Sequence, residues 1–168
     1  MANKTSINLN DLDFAALRQL VGDRSYSKGI LAVHGTNAEN VKTTAAVDFS
    51  VGGIMYTKAA TAEFDLSAIG VLNEQGEVLA AVTNQAAGKT CNYLLVLNSA
   101  GTCGIIQSEA VTNGATCKCP GTPPTYAPFA AVKVVNGTAS AFTFGTTSLG
   151  TSGLTVTYVD LAVAPVTL

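Results

Sequence analysis

Tyr93-Leu94-Leu95-Val96-Leu97 runs into Asn98-Ser99-Ala100-Gly101, and Cys103-Gly104-Ile105-Ile106-Gln107 follows. An unbroken apolar run, a polar turn with Gly, and a second apolar run predict a β-hairpin. The first run has no polar alternation, so its strand is expected in the centre of a sheet, covered on both faces. With the turn centred on Ser99-Ala100, Cys103 is expected opposite Val96, out of register with Cys91.

The texture on either side is also β. Ala45-Ala46-Val47-Asp48-Phe49-Ser50-Val51 alternates, Gly52-Gly53 makes a turn, and Ile54-Met55-Tyr56-Thr57-Lys58 returns. A Gly pair permits the positive φ angles of a two-residue hairpin turn. Glu63-Phe64-Asp65-Leu66 is expected to continue this meander, and Ile30 to His34 reads as a short strand or extended arm. Further strands are expected at Phe129 to Val135, Ala141 to Phe144 and Leu154 to Val159, with Gly145 to Gly153 as a loop. Pro120, Pro123 and Pro124 lack ladder donors, so Cys119 to Pro124 is expected as a surface loop.

The N-terminal segment differs. Asn8-Leu9-Asn10-Asp11 offers helix N-caps, Phe14, Leu17 and Val21 recur at helical spacing beside Leu20, and Gly22 supplies a stop. The expected architecture is mainly β: one β-sandwich or jelly-roll/barrel-like domain over residues 30–168. A short N-terminal α-helix and arm occupies residues 1–29, with Asp23 to Gly29 as a polar link.

Composition narrows the function. In 168 residues, hydrophobic types make up 48%, enough for one core, while charged types make up only 12%. A neutral surface rich in Thr, Ser, Asn and Gly belongs to a protein held in an assembly more often than to a diffusing enzyme. The net charge of −2 and the scattered Lys and Arg give no basic stripe, so no nucleic acid and no anionic membrane is expected as partner. No apolar run reaches membrane-spanning length. Met1 to Ser6 lacks the apolar core of a signal peptide, which predicts synthesis in the cytoplasm.

Few residues offer chemistry. The single histidine, His34, has no triad or metal-ligand spacing around it and reads as a strand-edge residue. Asp11 and Asp13 read as helix-start acids, and Glu74 and Glu77 as a solvated turn around Gly76. Gly145 to Gly150 lacks the Gly-Lys-Ser/Thr ending of a phosphate loop. Neither a catalytic residue nor a cofactor nor a metal is expected. Cys91, Cys103, Cys117 and Cys119 stay open: free thiols, a disulfide tying the loop of Cys117 and Cys119 to Cys103 or Cys91, or a metal site. The single residue between Cys117 and Cys119 does not suit a zinc knuckle.

Several segments carry a resemblance. These are Val41-Lys42-Thr43-Thr44-Ala45-Ala46-Val47, Gly53 to Thr61, Tyr93 to Gly101, Ala131-Val132-Lys133-Val134-Val135-Asn136-Gly137, Phe144 to Leu149 and Val156-Thr157-Tyr158-Val159-Asp160. Over roughly residues 41–160 the chain resembles virion structural proteins of tailed bacteriophages, of the capsid decoration or cement type. The resemblance implies a structural protein on the capsid surface of a virion, made in the host cytoplasm. It implies two partners, the major capsid protein and further copies of itself in a homotrimer. Contacts are expected from Leu12, Phe14, Leu17, Leu20 and Tyr26 and from the loop with Pro120, Pro123 and Pro124. The alternatives are a head fibre, tail or baseplate component, or a surface module binding a host or carbohydrate. The absence of Trp argues against a sugar platform. Cys117, Cys119 and their Pro-rich loop depart from the pattern.

Overall fold

The structure, a computed structural model, describes residues 22–162. The helix expected before Gly22 lies outside the described residues, as do Leu12, Phe14, Leu17 and Leu20. Among the described residues the chain is mainly β and has no helix.

The twelve strands are β1 (Arg24–Ser25), β2 (Leu31–Val33), β3 (Val41–Thr43), β4 (Val47–Val51), β5 (Ile54–Lys58), β6 (Gly70–Leu72), β7 (Val78–Leu79), β8 (Lys89–Asn98), β9 (Cys103–Gln107), β10 (Val111–Thr112), β11 (Tyr126–Asn136) and β12 (Leu154–Asp160). The main sheet runs β12-β11-β8-β9-β6-β7, with β10 also pairing with β8. β1-β4-β5 form a three-stranded sheet, and β2-β3 pair separately.

β8 is the central strand the apolar run predicts. Leu94 to Leu97 are all buried, and so is Tyr93. Its two faces enter different core clusters. Cys91, Tyr93, Leu95 and Leu97 join Phe129, Val132, Val47, Phe49, Phe142 and Phe144. Leu94 and Val96 join Leu72, Ile106 and Ala131. Burial on both faces is what removes the need for polar alternation in this strand.

The β8–β9 hairpin closes one residue away from the expected register. Asn98 N–H donates to Thr102 O at 3.1 Å, leaving Ser99, Ala100 and a left-handed Gly101 (φ 72°) as the loop. Cys103 therefore faces Leu97, and Gly104 faces Val96. The β4–β5 hairpin is as predicted: Val51 pairs with Ile54 across Gly52 and Gly53, both at positive φ.

Other expectations need correcting. Asp23 to Gly29 is no free link, because β1 lies within it and pairs Arg24 with Ser50 and Ser25 with Phe49. Ser25 is fully buried and its hydroxyl donates to Leu161 O at 3.0 Å. β1 thereby pairs with β4 across the boundary expected between residues 29 and 30. Glu63 to Leu66 and Ala141 to Phe144 form no strands. Each makes one isolated bridge, Phe64 with Val41 and Phe142 with Gln85, and both segments are anchored by buried Phe side chains. Pro128 lies inside β11, where the register slips between Pro128 and Ala130. A bulge accommodates the missing donor.

Candidate functional site

Glu74 organises the Pro-rich loop. Asn73 Oδ1 accepts from the backbone N–H groups of Gln75 and Glu77, which builds the turn around Gly76. From that turn Glu74 Oε1 accepts from Gly121 N–H at 2.8 Å. Glu74 is exposed on a solvated turn, as expected, and from there it also pins the loop. Of the three prolines expected at an interface, Pro123 is buried within the fold, Pro120 is half-buried and Pro124 is exposed. Pro120 and Cys119 border a groove of about 670 Å³ whose floor includes Leu72 and Ile106. Glu74, Glu109 and Lys118 are the charged side chains that line it. Tyr26, the remaining expected contact, is half-buried and its hydroxyl lies 3.1 Å from Ser50 Oγ.

The histidine serves local structure. His34 Nδ1 accepts from Asn37 N–H at 3.0 Å, closing the turn after β2. A second polar hollow lies nearby, with Glu63 and Asp65 on its wall. Glu63 accepts from the side-chain amides of Asn37 and Asn40, and these bonds hold its carboxyl below the usual value. Ser67 does the same for Asp65. Glu63 Oε1 accepts both amides, and Asp65 Oδ1 accepts the N–H and the hydroxyl of Ser67, so each carboxylate ties down neighbouring loop residues. Among the described residues no group of three or more His, Cys, Asp or Glu could hold a metal ion.

All four cysteines are free thiols, so the disulfide held open for them is not formed here. Cys91 is fully buried on β8, and burial pushes its thiol up. Cys103 sits at the other end of the β8–β9 ladder, where burial pushes its thiol up to about 12. Cys117 and Ser108 come together with Cys91: Ser108 Oγ is 3.5 Å from Cys91 Sγ and 3.3 Å from Cys117 Sγ. Cys119 is exposed.

The exposed large apolar side chains have a pattern the sequence did not reveal. Ile54 and Met55 lie on β5, the edge of the small sheet, and Val78 and Leu79 on β7, one edge of the main sheet. Val159 lies on β12, the other edge. Ile30 and Val33 flank Leu31, whose N–H donates to Asp160 Oδ1 at 3.2 Å, next to Val159. Among the described residues, every exposed large apolar side chain is thus on an edge strand or beside one. No helix among the described residues is long and apolar enough to cross a membrane.

Compared with protein-family models, with curated proteins and with solved structures, the chain matches none.

Proposed function

We propose that the chain is a structural assembly protein, a capsid decoration or cement protein of a tailed bacteriophage, and that it performs no catalysis. In this reading the small sheets lie as a second layer over one face of the main sheet, making a sandwich-like roll. The observation that carries the reading is the placement of exposed apolar side chains on the edges, with Ile54, Met55, Val78, Leu79 and Val159 as its clearest members. A free strand edge with apolar side chains is a template for pairing with another chain, and soluble monomers usually blunt such edges with charge. Here charge is scarce over the whole chain, at 12%. The partners in this proposal are the major capsid protein and two further copies of the chain. Many weak contacts repeated over a shell add up through multivalency.

Immuno-electron microscopy of particles purified from a lysate tests this. Label spread over the whole head surface is the expected result. Label confined to the tail, baseplate or a few head fibres selects the alternative virion role. A chain absent from particles, and monomeric in solution by light scattering, overturns the proposal.

A further inference from the structure

Ser108 brings two thiols from distant parts of the chain to one hydroxyl. Its Oγ accepts from the backbone N–H of Asn92 at 2.9 Å, which fixes it against β8. Cys91 Sγ, on the same strand, approaches it to 3.5 Å, and Cys117 Sγ to 3.3 Å. The two sulfurs are therefore no farther apart than those two contacts laid end to end. The backbone is held as well, since Asn92 Nδ2 donates to Cys117 O at 2.9 Å. Cys103 is excluded as a partner of Cys91. It faces Leu97, six positions along β8, or roughly 20 Å at about 3.3 Å per residue. Cys119 is exposed and directly follows Lys118, and the short Cys117-Lys118-Cys119 segment leaves little room for unstrained bridge geometry.

We propose that Cys91 and Cys117 are a redox pair that closes into a disulfide when a small-molecule disulfide such as oxidised glutathione is present, tying the loop after β10 to the central strand. The inference is independent of the proposed function. Cys117 is half-buried while Cys91 is wholly buried, so Cys117 meets the reagent first. Its thiolate attacks one sulfur of the glutathione disulfide, forming a mixed disulfide and releasing one glutathione. The sulfur of Cys91 then attacks the Cys117 sulfur, the new S–S bond forms, and the second glutathione leaves. Two protein thiols are oxidised and one glutathione disulfide is reduced; the two protons lost from the cysteines end on the two released glutathiones. The Ser108 hydroxyl exchanges its contacts with the two sulfurs for the Glu109 carbonyl, 3.1 Å away, as they close.

The test uses the full chain incubated with oxidised glutathione, alkylated, and measured by intact mass and peptide mapping. Two of the four thiols are expected to resist alkylation, with one peptide pair linked through Cys91 and Cys117. Cys119→Ser keeps this protection, whereas Cys117→Ser removes it. The closed form is expected to melt roughly 5–10 °C higher, because the cross-link shortens the unfolded chain. Four alkylated thiols, a stable glutathione adduct on Cys117, or a link through Cys103 or Cys119 each overturn the proposal.

Discussion

Tyr93 donates its hydroxyl hydrogen to Gln85 Oε1 at 3.2 Å, and both residues are completely removed from solvent. The same Gln85 side chain donates from Nε2 to Lys89 O at 2.6 Å and to Val134 O at 3.0 Å. Its backbone exchanges two hydrogen bonds with Phe142, and Asn136 Nδ2 donates to its carbonyl at 3.2 Å. The ring of Tyr93 stacks on Phe144 with centroids 4.1 Å apart. One buried amide therefore joins β8, β11 and the segment before β12, and every polar atom at the junction has a partner.

Removing that amide is expected to be costly. Gln85→Leu should destabilise the fold by about 2–4 kcal/mol, because carbonyls and a phenol are left buried without partners. Tyr93→Phe should cost about 1–2 kcal/mol. The double variant should lose less than the sum, since Tyr93→Phe removes the phenol that Gln85→Leu strands. Urea titrations of the three variants measure this, and strict additivity would show that the two groups are not coupled.

Gly145 should tolerate no side chain. Its φ is +81°, and an added Cβ would stand 2.7 Å from the carbonyl carbon of Leu66. Backbone cannot yield as a side-chain tip can, so Gly145→Ala is expected to lose about 2–3 kcal/mol. Gly52→Ala, with positive φ but open space around it, should lose about 1 kcal/mol. Equal losses at both sites would place the whole cost in φ and none in the clash.

Acid should loosen the loop that Glu63 holds. Hydrogen bonds from Asn37 and Asn40 depress the Glu63 carboxyl below its usual 4.5, and Ser67 depresses Asp65 below its usual 3.8. A depressed carboxyl stabilises the fold at pH values above its unfolded value, and that contribution is lost as pH falls through the lower folded value. Thermal melts should therefore show no contribution from these groups to any change between about pH 7 and pH 5, and a decline that begins near pH 4.5 and continues below it. Glu63→Gln, which accepts hydrogen bonds but does not titrate, should decline less steeply; an unchanged slope would remove Glu63 from the account.

Ile30 combines backbone strain with exposure. Its φ is 53°, in the left-handed region that β-branched residues avoid, and 54% of its surface is open. Ile30→Asn should raise stability by about 1 kcal/mol, as Asn enters that region at low cost and little packing is lost. A rise in the urea midpoint with unchanged slope is the expected reading. If the proposed assembly uses this residue, the same substitution weakens binding to particles while strengthening the fold.

The edge of β7 offers a direct test of the proposed surface. Val78 is 75% exposed and Leu79 45%. Val78→Lys with Leu79→Lys should change stability by no more than about 1 kcal/mol, given the exposure of both sites. The same pair should abolish co-sedimentation with purified heads, because edge charges block strand addition. Undiminished co-sedimentation would remove β7 from the contact surface.

Local chemistry in the chain determined the hairpins. Gly52-Gly53 can turn because two positive φ angles cost glycine little, and Tyr93 to Leu97 had to be central because five apolar neighbours need two covered faces. Strands such as β6, β7 and β10 were not legible in the same way. They are two or three residues long, carry no measurable periodicity, and exist because a neighbour offers each a ladder: β9 for β6, β6 for β7 and β8 for β10; β6 even pairs in parallel with β9, across more than thirty residues of chain. Phe64 and Phe142 looked like strand residues and are instead single bridges, since burial alone does not distinguish a strand from an anchored loop. The meeting of Cys91, Ser108 and Cys117, and the gathering of exposed apolar side chains on the edges, are likewise tertiary. Both depend on which strand ends beside which, and that is settled by contacts between residues far apart in sequence, where periodicity carries no information.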